Sequence, residues 1–346
     1  MEDKMKKKLI AILMAALLVL ALAACSGGGN GGSGGGSTPT NAPASEAPAA
    51  GEKLTMGTGG ESGTYYAFGG VLANYIGQNS NLSINVVSTG GTAANITGMH
   101  DGLYDLATVK SDVSTYAYFG TNSFADNGAI NDFRVLGALY AETVQIVTCN
   151  SAITSVADLK GKSVCVGDVG SGTYFNTVDV LAAYDMTLED INPVYQSFGD
   201  STESIKDGKI DAAFICAGAP TNAVVDLATS KSVYLISIDD EHMAKLLASC
   251  PWYASLTIPA GTYSGFDQDA VTITVKATLV ARATLSDEAA YAIVSTIFEN
   301  TQAIAGLHGK GAELSLSFAT EGIAVPFHPG AAKYYAEKGI TVNTAG

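Results

Sequence analysis

A two-lobed α/β protein is what this sequence predicts: each lobe a mostly parallel sheet covered by helices, the two joined by a hinge. Strand-like and helix-like stretches alternate along the chain, and that alternation builds parallel sheets with helices on both faces. Ser62-Gly63-Thr64-Tyr65 returns 109 positions later as Ser171-Gly172-Thr173-Tyr174. Asp101-Gly102-Leu103-Tyr104-Asp105-Leu106-Ala107 is echoed 106 positions on by Asp207-Gly208-Lys209-Ile210-Asp211-Ala212-Ala213. Two echoes in one order at nearly one spacing mark two lobes built on one plan.

The elements follow in order. Short strand-like runs at 53–57 and 163–167 each lead through a glycine-rich loop into an apolar-periodic stretch, 65–76 and 174–184, with helical spacing. Second strands come at 83–89 and 192–198, with helices at 92–99 and 201–206 behind them. An Asp-Gly pair then closes each helix, glycine suiting the position just past a helix end. Third strands run over 104–109 and 210–216. Beyond them, 257–263 and 271–281 read as extended crossing segments. A helix over 286–300 is opened by Ser286-Asp287-Glu288, residues that satisfy free N-terminal amides. The C-terminal part is expected to rejoin the first lobe, with crossovers near 142–150 and 251–275. Lobe 1 is then discontinuous, 53–145 plus 270–346, and 146–269 forms lobe 2 with the return crossover.

Ahead of the lobes, Lys4, Lys6, Lys7 and Lys8 precede an apolar run over 9–24 that stops at Cys25. This is the charge and hydropathy pattern of an export signal. The run falls short of the roughly 20 residues that span a bilayer. Leu22-Ala23-Ala24-Cys25 resembles the bacterial lipobox, so residues 1–24 read as a lipoprotein signal peptide and Cys25 as the lipid attachment site. Two acyl chains, at about 0.8 kcal/mol per buried CH₂, hold a folded domain at a membrane surface. Residues 25–52 are Gly, Ser, Pro, Thr, Ala and Asn with little apolar bulk, a flexible linker with a root-mean-square span of roughly 28 Å.

The formal net charge is −15 at pH 7. Nucleic acid is thereby excluded as a partner, because phosphate neutralisation requires a basic face. Cys149, Cys165, Cys216 and Cys250 match no zinc spacing, and whether any pair is left open. Nothing implies a cofactor or a metal. Gly167-Asp168-Val169-Gly170-Ser171-Gly172-Thr173 lacks the lysine of a phosphate-binding loop, and Ser171 does not sit in a nucleophile elbow. His100, His242, His308 and His328 lie far apart, so an enzyme is disfavoured.

In open parallel sheets, ligands lie beyond the carboxyl ends of the strands. Free amides at the helix starts there favour a negative group. The repeated loops therefore predict a site shared between the lobes. From the first lobe it draws on Thr58, Gly63, Thr64, Tyr65, Thr89, Asn95, Lys110, Ser111 and Asp112. Ser171, Gly172, Thr173, Gly218, Ala219 and Pro220 come from the second, Pro220 suiting a first helical turn. Lys110 reads either as a cation reaching an anionic ligand or as a solvated lysine beside a cap. Asn95 and Asp112 read either as ligand contacts or as caps of their own helices.

Several stretches resemble the TAXI family, the solute-binding subunits of tripartite ATP-independent periplasmic (TRAP) transporters. They are Gly57-Thr58-Gly59-Gly60 through Gly63-Thr64-Tyr65-Tyr66, Ser88-Thr89-Gly90-Gly91 with Asn95, and Ser111-Asp112-Val113. Asp158-Leu159-Lys160-Gly161-Lys162, Gly170-Ser171-Gly172-Thr173, Ala217-Gly218-Ala219-Pro220, Ile258-Pro259-Ala260-Gly261-Thr262-Tyr263 and His328-Pro329-Gly330-Ala331 continue the match. The resemblance implies a type II periplasmic-binding-protein fold closing on a small carboxylate, glutamate-like or a dicarboxylate. It also implies a TRAP membrane permease as partner; with the lipobox at Cys25, the protein is expected to be an extracytoplasmic, lipid-anchored monomer. Lys110 departs from it, standing where the family usually has glutamine. A surface sensory or interaction lipoprotein of the same fold is the competing reading.

Replacing Cys25 by Ser is expected to free the protein from the membrane fraction. Unchanged membrane retention in a fractionation of cells carrying Cys25→Ser rules out the lipid attachment.

Overall fold

A computed structural model describes residues 51–126 and 128–345. The expected signal peptide, Cys25 and the linker up to residue 50 lie outside the described residues. No helix among the described residues is long and apolar enough to cross a membrane.

The strands are β1 (Lys53–Gly57), β2 (Ser83–Val87), β3 (Leu106–Lys110), β4 (Phe133–Thr148), β5 (Ser163–Cys165), β6 (Asn192–Val194), β7 (Ala212–Ala217), β8 (Tyr234–Leu235), β9 (Ala254–Ile258) and β10 (Ala270–Arg282). They join in the order β2-β1-β3-β10-β4-β7-β5-β6, with β8 on β4 and β9 on β10. Both ends of this sheet are parallel: β1 lies between β2 and β3, and β5 between β6 and β7. The middle is antiparallel. β4 pairs with β10, and these two strands continue into both wings, β10 reaching β3 and β4 reaching β7.

Each parallel strand feeds a helix, as a right-handed crossover demands. In the first wing these are α1 (Thr64–Asn79), α2 (Thr92–His100) and α3 (Ser111–Phe119). Tyr65, Phe68, Leu72 and Ile76 place one apolar stripe of α1 in the core. In the second wing they are α4 (Thr173–Ala183), α5 (Phe198–Lys206) and α6 (Asn222–Ala228), followed by α7 (Asp240–Ser249). The Asp-Gly echo does what the sequence suggests: Asp101 and Asp207 end α2 and α5, and Gly102 and Gly208 follow with φ of 76° and 71°. After β10 come α8 (Asp287–Glu299), α9 (Thr301–Leu307), α10 (Leu316–Thr320) and α11 (Pro329–Glu337). The Ser286 hydroxyl accepts from the Ala289 amide and so fixes the start of α8. His328 caps α11 in the same way, accepting from the Gly330 amide, and is wholly buried.

One apolar cluster joins β1, β3 and the outer halves of β4 and β10 to α1, α8 and α11. Two more lie in the second wing: one reaches from Val144 and Phe214 to Val180 and Leu246, the other from Ile215 to Ile205 and Val224. β3 and β7 are buried at every position, the mark of strands covered on both faces.

Several boundaries move from the sequence reading. β4 is a continuous strand of 16 residues where only a crossover near its end was expected. Residues 257–263 do not cross: Ile258 ends the edge strand β9, and the chain turns at Pro259. Pro220 precedes the cap residue Thr221 rather than sitting in the first turn of α6. Helix α5 begins at Phe198, three residues early, because the Ser197 hydroxyl caps it by accepting from the Asp200 amide.

Asn95 ties the first wing's strand exits together. Its buried side-chain amide donates to the carbonyls of Thr58 (2.6 Å) and Thr108 (2.8 Å), while its oxygen accepts from the Thr89 hydroxyl (2.6 Å). Asn95→Ala strands those groups without partners and is expected to cost about 2–4 kcal/mol, read as a lowered urea midpoint. An unchanged midpoint discounts this tie.

Candidate functional site

The carboxyl ends of β1, β2, β3, β5, β6 and β7 all open onto one cavity between the wings. Gly59, Gly60, Gly63, Thr64 and Tyr65 line it from the β1–α1 loop, and Thr89, Gly90, Gly91 and Thr92 from the β2–α2 loop. Asp168, Ser171, Gly172 and Thr173 face them from the β5–α4 loop, with Ser197, Phe198, Cys216 and Ala217 completing the second wing's wall. Lys110, at the end of β3, and Glu142, from the middle of β4, supply the floor's charges. The cavity measures about 50 Å³. Roughly 10–15 Å³ admits one water, so the cavity suits a small solute.

The helices behind these loops begin at Gly63, Gly91, Lys110 and Gly172, and none of those cap residues supplies a side-chain bond to its helix. Amides that a serine or aspartate cap would satisfy are thus left to other partners. At α2 the partner comes from across the cleft: Ala93 and Ala94 donate to the Gly170 carbonyl at 3.0 and 3.3 Å. The opposite wing therefore holds amides that the sequence reading assigned to an anion.

Other bonds also cross between the wings. Thr64 donates its hydroxyl to the Gly218 carbonyl (2.9 Å), and the Ala223 amide donates to the carbonyl of Ser62 (3.2 Å). Tyr116 and Trp252 meet edge to face at 5.4 Å between ring centres. The wings stand closed on one another.

Lys110 is 2 % exposed, and its ammonium donates to the Asn176 side-chain oxygen. The Asn176 amide in turn donates to Asp112 (3.2 Å) and to the Tyr253 hydroxyl (2.8 Å), which donates to Asp179 (2.6 Å). The reading of Lys110 as a solvated surface lysine is thereby excluded. Asp112 is pushed up from the usual carboxylate range by burial, against the pull of Lys110. Burial likewise raises Glu142 to about 7, opposed by Lys110 and by the nearby Tyr140 hydroxyl. Tyr140 approaches Glu142 without completing a hydrogen bond: both the Tyr140 hydroxyl and Glu142 Oε1 are buried and unpartnered. The Tyr65 hydroxyl is a third such group. Cys216 is driven up to about 12 by burial and is an inert wall residue.

Of the residues singled out from sequence, Gly63, Thr64, Tyr65, Thr89, Lys110, Ser171, Gly172 and Thr173 line this cavity. The others lie elsewhere. Thr58 and Asn95 are fully buried, the Thr58 hydroxyl donating to Val87 and the Asn95 side chain to its neighbours' carbonyls. Ser111 accepts from the Lys276 amide, and Asp112 is turned to Asn176. The Gly218 carbonyl is taken by Thr64. Ala219 and Pro220 border a separate recess with Lys310 and Glu313. Glu142, Asp168, Ser197 and Phe198 were missed. The signal for Glu142 was present, as the single ionisable carboxylate in the run from Val135 to Thr148.

A protein-family model described as the NMT1-like family matches residues 56–339. The chain belongs to the NMT1-like family. This membership is coarser than the TAXI resemblance and does not name a transporter. Among solved structures, a protein of Bordetella bronchiseptica RB50 is 15% identical over 82% of this chain and 88% of its own, with a TM-score of 0.52. The periplasmic aliphatic sulphonate binding protein SsuA of Escherichia coli is 18% identical over 82% of this chain and 83% of its own, at 0.46. The alkanesulfonate-binding protein SsuA of Xanthomonas axonopodis pv. citri, bound to MOPS, is 17% identical over 83% and 93%, also at 0.46. Two parallel wings joined through antiparallel β4 and β10 in the order β2-β1-β3-β10-β4-β7-β5-β6 give this NMT1-like protein the type II periplasmic-binding-protein fold. Among the described residues, no group of three or more His, Cys, Asp or Glu is placed to hold a metal ion.

An acid raised by burial holds its proton more tightly folded than unfolded. Stability is therefore lost as pH climbs from Glu142's ordinary value near 4.5 through about 7. That interval corresponds to ~3 kcal/mol. Glu142→Gln should gain on the wild type by about that amount between pH 4.5 and 8 in urea titrations; parallel curves contradict a buried, protonatable Glu142.

Proposed function

We propose that this protein is an extracytoplasmic solute-binding protein, not an enzyme, and that its wings close on a small organic solute carrying a carboxylate. The observation that carries this reading is the cavity at the facing Ser-Gly-Thr-Tyr loops, with the buried Lys110 ammonium in its wall. Lys110 spends one of its three donor positions on Asn176, a neutral acceptor, so a carboxylate finds both charge and free donors there. The Ser171 hydroxyl takes the Thr173 amide (3.1 Å), and Gly172 gives the rest of the first turn of α4 no side-chain cap. Glutamate-like solutes and dicarboxylates are the class implied by the TAXI resemblance, and the same resemblance supports delivery to a TRAP-type membrane permease. Lipid attachment at Cys25 would hold the binding domain, as a monomer, beside that permease.

The two wings, 53–145 with 270–346 and 146–269, act in this reading as the moving bodies, with β4 and β10 bending between them. Closure demands close backbone approach. A Cβ on Gly90 would stand 2.7 Å from the Val169 carbonyl of the other wing.

A thermal-shift screen of small carboxylates is expected to raise the melting temperature of the wild type, since a ligand that binds only the native state stabilises it. Gly90→Ala should still fold cooperatively but lose at least tenfold in affinity. A screen in which no carboxylate stabilises the wild type counts against the anionic cargo. Full affinity in Gly90→Ala counts against closure at this contact.

A further inference from the structure

Glu142 is the least expected occupant of a site built for a carboxylate. It is 1 % exposed, lines the cavity, and leaves Oε1 without a hydrogen-bond partner. A buried carboxylate oxygen left unpaired is strongly unfavourable, so such a group implies a donor supplied from outside the chain. The Tyr140 hydroxyl leans toward it and favours its ionised form, but neither group completes a hydrogen bond, and the other neighbours are engaged elsewhere or offer little. Lys110, whose attraction favours the ionised form, makes no ion pair with Glu142 and donates its hydrogen bond to Asn176. Lys310 is bonded to Glu313 at 2.6 Å, and Glu313 also accepts from the Ala141 amide (2.7 Å), one residue before Glu142. The Tyr140 and Tyr65 hydroxyls are themselves unpartnered. Cys216 is a weak donor on the wall, and Asp112 is a second acid on the Lys110 side.

The balance of charge along the lining points the same way. Lys110 is the one cationic side chain among the lining residues, against two carboxylates, Glu142 and Asp168. A solute with one carboxylate is matched by Lys110. A second carboxylate has no cation left to meet and faces acids instead. An ammonium group finds Glu142.

We infer that Glu142 is a specificity-determining residue that accepts a hydrogen bond from a solute amine, so that the cavity takes a small zwitterionic amino acid with a single carboxylate and disfavours dicarboxylates. This rests on the carboxylate-binding reading above and departs from the dicarboxylate class that the TAXI resemblance implies. The ammonium lies against Glu142, and the carboxylate against Lys110 and the β5–α4 loop. The Tyr65 hydroxyl, buried in the same wall, is free to bond with either end.

The test is calorimetric titration of the full chain with each of the twenty standard amino acids beside its deaminated acid, together with succinate and glutarate. Expected is at least one mono-carboxylate amino acid that binds ten- to a hundredfold more tightly than its deaminated partner and than either diacid. Glu142→Gln, close to isosteric, should erase most of that preference by weakening the amino acid, while the deaminated acid, no longer facing an acid, binds at least as tightly as it does to the wild type. That second affinity shows the variant's site to be intact. Diacids or deaminated acids that bind as well as the amino acids overturn the inference alone, as does a preference that survives Glu142→Gln. Silence toward every compound overturns the carboxylate site itself and the inference with it.

Discussion

A buried ammonium group governs the cleft. Taking a lysine out of water costs several kcal/mol unless its donors are engaged, and Lys110 meets that demand by reaching across the gap to Asn176 on α4. Asn176 is able to serve only because its own amide is held by Asp112 from one side and Tyr253 from the other. The first wing thus contributes a cation and an acid, and the second an amide oriented by Tyr253 and Asp179. Separate the wings and the ammonium loses its acceptor to solvent. Cavity shape, wing approach and field in the wall are therefore three aspects of one polar network.

The strands β4 and β10 give that network its geometry. Each belongs to both wings, and they meet antiparallel around Val275 and Glu142. Register shifts interrupt β10 on the first-wing side, between Ala277 and Thr278 and between Leu279 and Val280. Irregularities of this kind bend and twist a strand locally. The Lys276 ammonium reinforces the same region by donating to the carbonyls of Phe318 and Glu321. Glu142 consequently sits where the backbone passes from one wing to the other.

Much of this could be read from the sequence because it is local. The Ser-Gly-Thr-Tyr loops, the Asp-Gly helix ends and the Ser286 cap are encoded in neighbouring residues, and all three occupy the positions expected of them. What escaped depends on partners far along the chain. Asn95 offers the same donors to a ligand or to a carbonyl, and only packing reveals that Thr58 and Thr108 claim it. Ser111 looks like a loop hydroxyl until β10 brings Lys276 beside it, 165 positions away. Glu142 was hidden differently: a lone acid in an apolar run has no periodic signal, and its meaning appears once β4 is seen to cross the sheet's centre.

The bond from Ala93 and Ala94 to the Gly170 carbonyl forms between protein groups alone. Shutting the cleft is therefore rewarded before any guest adds its own attraction. In the solute-binding reading proposed above, a trapped molecule would leave only after these bonds at the start of α2 had broken. A membrane partner that tugged on the β5–α4 loop could trigger unloading without touching the cargo.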